Sequence, residues 1–230
     1  MNDEHIISTE NLVKDYRSDE IVVHAVRGVD LQIEKGEFTA VVGPSGSGKT
    51  TLLNCISGLD NPTEGQVWLN GKLISRMTGN ELSDFRRDNI GFIFQAYNLI
   101  PVLNVEENIE YIMMLQKVGA EERHRRVLDM LSRLGMEGYH DRFPKKLSGG
   151  QQQRVAIARA MVTKPALILA DEPTANLDSK TGVELLEMMR DLNESMGMTF
   201  VFSTHDNKVV ERARRVIYME DGKISREEKK

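Results

Sequence analysis

The run GPSGSGKT, Gly43 to Thr50, limits what this chain can fold into more than any other feature. It follows the apolar, β-branched stretch FTAVV and opens the apolar stretch KTTLLNCISG, which ends at Gly58. A strand, a glycine-rich turn and a helix in that order match G-x-x-x-x-G-K-[ST] together with its required context. Glycines let successive backbone N–H groups turn inward around phosphate oxygens, and the following helix N-terminus adds partial positive charge. Gly43, Pro44, Ser45, Gly46, Ser47, Gly48, Lys49, Thr50 and Thr51 are therefore the first candidates for binding a nucleotide. Lys49 is spaced to reach the β- and γ-phosphates, and the Thr50 hydroxyl to ligate Mg²⁺.

The rest of the chain is compatible with an α/β protein built around that loop. HIISTENLV, VVHAVRGVDLQI and EFTAVVG read as strands, and Asn70-Gly71 marks a tight hairpin. After IGFIFQAYNLIPVL the pattern turns helical. Asn104 and Glu107 have capping-box spacing for a helix through about Val118. EERHRRVLDMLSRLG sets Val127, Leu128, Leu131 and Leu134 on one face and stops at Gly135. Gln151 opens a further helix, QQQRVAIARAMV. Residues from about 96 to 160 thus read as a helical insert. ALILADEP then reads as a strand buried on both faces. A helix from about Lys180 to Ser195 with Gly197 as its cap, the strand MTFVFST, a short helix after Asp206 and a hairpin at Asp221-Gly222 complete the alternation. Strands alternating with helices imply a mostly parallel sheet. The tail REEKK reads as solvated, and so does the ERHRRV face.

With 230 residues, 40% of them hydrophobic and 28% charged, the chain can bury a sizeable core. A net charge of −5 speaks against a broad nucleic-acid-binding face. The one cysteine, Cys55, excludes an intramolecular disulfide and reads as a small buried residue. The pairs Met113-Met114 and Met188-Met189 read as core. No apolar run approaches the roughly 20 residues that span a bilayer. The start MNDEHIISTE lacks the form of a signal peptide.

Two acids end the strand LILADE. Ligands of open parallel sheets sit at strand C-terminal ends. Neighbouring residues there point opposite ways, so Asp171 and Glu172 are expected to do different jobs. Asp171 is placed to hold a Mg²⁺-bound water, and Glu172 to orient or deprotonate an attacking water. In VFSTHD, His205 comes to the same edge and can donate to a γ-phosphate. Gln95 follows IGFIF and can ligate Mg²⁺ or sense the γ-phosphate. A second glycine turn, LSGGQ, precedes another helix and offers the Ser148 hydroxyl with the N–H groups of Gly149 and Gly150.

The order GPSGSGKT, FQ, LSGGQ, ILADEPTANLD and STHD, which covers nearly the whole chain, resembles the nucleotide-binding subunit of ABC (ATP-binding cassette) transporters. That resemblance implies a P-loop NTPase core with an antiparallel β subdomain (1–95 and 161–230) and a helical signature subdomain (about 96–160). It implies ATP hydrolysis by Glu172, His205 and Lys49, with Thr50, Gln95 and Asp171 around Mg²⁺ and Tyr16 stacked on adenine. It also implies a head-to-tail homodimer, in which Ser148, Gly149, Gly150, Gln151 and the D-loop Asp178 act on the partner's ATP. Ala175 and Asn176 depart from the commoner Ser-Ala of that loop. The wording GLDNPTEG and RRDNIGFIFQAYNLIPVLNVEENI is similar to the lipoprotein-release and macrolide-export subfamily. An integral-membrane permease is then the partner, with Tyr97, Leu99 and Pro101 as candidate contacts, and the chain is cytoplasmic on the inner face of the membrane. The alternatives are an ATP-driven mechanical switch on a membrane partner and a soluble ATPase acting on ribosomes or DNA.

Overall fold

Three short strands are buried along nearly their whole length, and they organise everything else. They are β3 (Phe38–Val42), β7 (Leu167–Asp171) and β8 (Thr199–Thr204). The computed structural model describes residues 5–18 and 21–230. In it the three strands pair in parallel, β3 with β8 and β8 with β7. β6 (Ile90–Ile93) joins in parallel beyond β7, and β9 (Arg215–Glu220) in parallel beyond β3. β10 (Lys223–Lys229) closes the six-stranded sheet antiparallel to β9.

Period-two alternation divides the core between the two faces of this sheet. Phe38, Ala40, Ile168, Ala170, Phe200 and Phe202 face one side. There they meet α3 (Val105–Leu115), α4 (Ala120–Arg133), α5 (Gly149–Met161) and α6 (Ser179–Met196). Val41, Leu167, Leu169, Val201 and Ile217 face the other side and meet α1 (Lys49–Ser57) through Leu52, Cys55 and Ile56. Behind α1 lies a second sheet, antiparallel, in the order β2-β1-β4-β5. Its strands are β1 (His5–Ser18), β2 (Ile21–Glu34), β4 (Glu64–Leu69) and β5 (Lys72–Leu73). The helix after the phosphate loop is thus held between two sheets. Among the described residues, no helix is long and apolar enough to cross a membrane.

Local chemistry fixes most element ends. The Asn104 side chain accepts from the Glu107 N–H at 2.8 Å, and Glu107 accepts the Asn104 N–H at 2.8 Å, the expected capping box of α3. Left-handed Gly58 and Gly197 terminate α1 and α6. The short helix after Asp206 is α7 (Asn207–Arg212).

Several expectations need correcting. α5 begins at Gly149 rather than Gln151, because Ser148 is its N-cap and Gln151 closes the capping box from the third helical position. Leu128 is 40% exposed, whereas Val127, Leu131 and Leu134 of the expected face reach the core, joined by Met130. Met113 and Met189 are buried, but Met114 is 50% exposed, because adjacent helical residues cannot share a face. Arg123 is not simply solvated, since it binds Glu110 at 2.7 Å and the Val118 carbonyl at 2.7 Å. The tail is strand β10, and its Glu227 accepts from the buried Arg215 at 2.6 Å. The sequence reading contains no counterpart of helix α2 (Gly79–Asn89); Thr78 and Glu81 cap it, and it buries Leu82 and Phe85.

Cys55 is 1% exposed on the inner face of α1, and burial, assisted by the charge of Asp60, pushes its thiol up to about 12. The thiolate is the reactive form, so the folded protein is essentially inert to thiol reagents at pH 8. We expect no release of chromophore from a disulfide reagent by native protein, and one equivalent after denaturation. Stoichiometric reaction of the native protein would contradict this packing.

Candidate functional site

The register of the parallel strands determines what meets at their C-terminal edge. Val42 lies opposite Thr204, and Asp171 opposite Ser203. The next residues along β3 and β8, Gly43 and His205, therefore emerge at one level, and Glu172, level with Thr204, emerges one residue below them at the same edge. Ile93 lies opposite Ala170, so the chain leaves β6 toward Gln95 at the same edge.

The phosphate loop occupies this edge. Gly48 has φ 97°, and a Cβ there would fall 2.2 Å from the Ala25 carbonyl, so only glycine fits. No side chain caps α1, and its first turn contains no acid. Its N–H groups are available to an anion, whereas the starts of α3, α5, α6 and α7 are each capped by their own side chains. Lys49 is buried and lies across the loop, donating to the Gly43 carbonyl at 2.8 Å and the Pro44 carbonyl at 2.9 Å. A cation is thus held by two backbone carbonyls of the loop, beside the uncapped N-terminus of α1.

The two acids diverge as alternation requires. Asp171 accepts from Ser203 at 2.7 Å and from the Thr50 hydroxyl at 3.3 Å. Glu172 accepts from Thr204 at 3.0 Å and lies 2.7 Å from Nδ1 of His205. Glu172 is also left-handed, at φ 47°. Such a conformation costs of order 1–3 kcal/mol and persists only where surroundings over-determine it. Here the Glu172 N–H donates to the Ser203 carbonyl at 2.9 Å, and its carbonyl accepts from Ala175 at 3.2 Å. Nothing in the sequence signalled this strain.

A hydroxyl beside a carboxylate is a hard-oxygen donor pair suited to Mg²⁺. Among the described residues, no cluster of three or more His, Cys, Asp or Glu could hold a metal by itself. A Mg²⁺ ion at Thr50 and Asp171 would therefore need further oxygen ligands, such as an amide carbonyl, phosphates and water. Gln95 is exposed at the end of β6, and its carbonyl accepts from Asn176 at 2.8 Å. Thus Asn176, one of the two atypical D-loop residues, ties that loop to the Gln95 segment of its own chain.

Tyr16 is 41% exposed, and its hydroxyl donates to Asp60 at 2.8 Å. Lys14 also binds Asp60, at 2.6 Å, and its ammonium lies 5.0 Å from the Tyr16 ring centre. Burial, then the hydrogen bond to Asp60, raise the phenol above its ordinary range. Asp60 and Lys14 therefore fix the pose of the ring, a role that the sequence did not reveal.

The second glycine turn is built differently from the first. The Ser148 side chain accepts from the Gln151 N–H at 3.3 Å, and Gln151 accepts the Ser148 N–H at 2.9 Å. Gln151 also donates to the Tyr139 hydroxyl at 3.1 Å. Neither Gly149 nor Gly150 has positive φ. Their requirement is space: a Cβ on Gly149 would lie 2.9 Å from the Tyr97 hydroxyl, and one on Gly150 would lie 2.6 Å from the Thr181 methyl. Asp178 caps α6, accepting from Lys180 at 3.1 Å, from Thr181 N–H at 3.0 Å and from the Thr181 hydroxyl at 2.6 Å. These bonds, the Thr181 hydroxyl first, hold its carboxyl below the usual range.

Overpacking of this kind costs about 1–3 kcal/mol. We expect Gly150→Ala to destabilise the protein by about that much in a denaturant titration, and Thr181→Ser, which removes the opposing methyl but keeps the bond to Asp178, to restore most of the loss. Equal destabilisation in both backgrounds would contradict the steric reading.

Known proteins supply an independent comparison. The family model described as ABC transporter matches residues 26–175. An ABC transporter ATP-binding protein of Methanocaldococcus jannaschii is 46% identical over 228 residues, which cover 97% of each chain. The macrolide export ATP-binding/permease protein MacB of Nitrobacter winogradskyi is 45% identical over 219 residues, which cover 95% of this chain and 34% of that longer protein. A solved structure of the archaeal cassette, a dimeric post-hydrolysis state bound to ADP and phosphate, superposes with a TM-score of 0.89 at 44% identity and covers 97% of this chain and 98% of that one. Matching sequence, fold and strand-edge chemistry lead to one conclusion: this chain belongs to the ABC transporter family, as one of its ATP-hydrolysing cassettes.

Proposed function

We propose that two copies of this ATPase close head to tail around two ATP molecules and, on hydrolysis, open to move a partner permease. The observation that carries the reading is the strand edge itself, where the phosphate loop, Asp171, Glu172 and His205 converge through paired parallel strands. The dimeric state of the archaeal relative supports the pairing. In this reading the cis half of each site is Tyr16, the loop from Gly43 to Thr51, Gln95, Asp171, Glu172 and His205. The trans half is Ser148, Gly149, Gly150, Gln151 and Asp178 of the second copy, and residues 96–160 act as the body that carries it.

Hydrolysis converts ATP and water to ADP and phosphate. Lys49 and the loop N–H groups draw charge from the β- and γ-phosphates. Glu172 orients the water and receives its proton, while Thr204 and His205 hold the carboxylate in place. With Nδ1 turned to Glu172, His205 has Nε2 to offer the γ-phosphate. Thr50, Asp171 and Gln95 would hold Mg²⁺, which would neutralise phosphate charge when bound.

The segment picked out in the sequence is only partly exposed. Leu99 packs against the core, Tyr97 is half-buried and Pro101 is exposed. Nearby in the chain, Ile100, Val102, Tyr111, Met114 and Leu115 are exposed apolar groups. Leu115 lines a groove between α2 and α3 together with Asp84, Arg86, Arg87, Ile90, Phe92 and Ile112. A short amphipathic cytoplasmic helix of the permease suits this groove. The likeness to MacB favours an export or lipoprotein-release partner over other classes. Docked there, the chain sits on the cytoplasmic face of the membrane.

Glu172→Gln keeps the shape of the site and removes the base. Turnover is expected to fall about 10²–10⁴-fold, with an ATP-dependent dimer persisting on size exclusion. A monomer at micromolar protein with saturating ATP would overturn the closed-dimer reading. Chelation of Mg²⁺ is expected to abolish turnover, with full recovery on adding the metal back; unchanged turnover in chelator would remove Thr50 and Asp171 from their metal role.

A further inference from the structure

The loop after Gln95 is bent in a way its own residues do not favour. Tyr97 and Asn98 are consecutive left-handed residues, at φ 58° and 51°. Neither is glycine, and for a bulky side chain such backbone is a marked outlier. The bend is tight, with the Asn98 N–H donating to the Ala96 carbonyl at 2.6 Å.

One side chain from another element spans it. The Arg159 guanidinium, near the end of α5, donates through one nitrogen to the Tyr97 carbonyl at 2.8 Å and through the other to the Asn98 carbonyl at 2.5 Å. Arg159 is half-buried, and burial lowers its pKa. Among the described residues it has no carboxylate partner. A charge placed there without a counter-ion is satisfied by these two carbonyls. The rigid fork of arginine can meet both at once, whereas a lysine ammonium is a single point. At the other end of the same helix, the Tyr97 hydroxyl abuts Gly149. On the opposite side, Asn176 holds the Gln95 carbonyl. The loop is therefore pinned lengthwise to the helix that begins with the signature turn.

We propose that Arg159 is a positioning residue that holds the Tyr97-Asn98 bend against α5, so that Gln95 and the signature turn move as one body. This rests on the reading of Gln95 as a phosphate- or metal-facing group. Arg159 itself touches neither nucleotide nor metal; it acts through the loop.

The test uses the purified chain with Mg²⁺ and ATP, comparing Arg159→Met, Arg159→Lys, Arg159→Met combined with Asn98→Gly, and Gln95→Ala. Arg159→Met is expected to lower kcat by about ten- to a hundredfold through misplacement of Gln95. The KM for ATP is expected to stay within about twofold, because the phosphate loop and Tyr16 are untouched. Arg159→Lys also slows turnover and speeds amide exchange over residues 96–103, while exchange within α5 is unchanged. Asn98→Gly, which takes left-handed backbone without strain, restores much of the rate lost in Arg159→Met. Wild-type kcat in both Arg159 variants, KM rising in step with the loss, or no rescue by Asn98→Gly would each overturn the proposal. Should Arg159→Met fail to fold, Arg159→Lys carries the same criteria. Wild-type kcat in Gln95→Ala would overturn the reading of Gln95 and this inference with it. A slow Gln95→Ala beside fast Arg159 variants would overturn the inference alone.

Discussion

The parallel pairing of β3, β8 and β7 is the constraint on which the rest depends. With Val42 opposite Thr204 and Asp171 opposite Ser203, β3 and β8 end level and β7 ends one residue short of them. Each end leads straight into a reactive group: a phosphate loop, a histidine and a carboxylate. Side-chain bonds stitch the same edge together, Ser203 to Asp171 and Thr204 to Glu172. A slip of one residue in β7 would exchange the faces of Asp171 and Glu172, placing the wrong acid beside Thr50. Both faces of these strands are buried under large side chains, which is what makes such a slip costly.

Three of the eight left-handed non-glycine residues among those described lie where the elements of the site meet. Glu172, Tyr97 and Asn98 are left-handed without being glycine, and each is held by partners outside its own turn. Glu172 is fixed by β8, and Tyr97-Asn98 by α5. The two glycines of the signature turn fit the same pattern. They carry no special dihedral, but they let Tyr97 and Thr181 approach the start of α5. The turn therefore serves two purposes at once. Its capping box sets the start of α5, and its glycines receive the loop after Gln95 and the start of α6.

Much of this was legible in the sequence because it rests on local rules. The phosphate loop, the capping box at Asn104, the glycine stops at Gly58 and Gly197, and the doubly buried strands are all set by neighbouring residues. The features that escaped depend on distant partners. α2 has a proper capping box at Thr78 and Glu81, but it buries only Leu82 and Phe85, too few for a periodic signal. The tail reads as solvated charge until Arg215 and β9 are placed beside it. The fixing of Tyr16 by Asp60 spans 44 residues, and the hold of Arg159 on Tyr97 spans 62. Exposed Leu128 and Met114 show that heptad spacing alone overestimates the width of a buried stripe.

The central claim is that Ser148 of one copy faces the phosphate loop of another, and disulfide trapping tests it directly. In a Cys55→Ala background, Ser45→Cys and Ser148→Cys are placed on separate chains and mixed with ATP under mild oxidation. A disulfide forms only when the two Cα atoms come within about 7 Å. The account predicts an ATP-dependent, disulfide-linked dimer in the mixture and none from either variant alone. A mixture that stays monomeric on a non-reducing gel, while each variant still binds ATP, would contradict it.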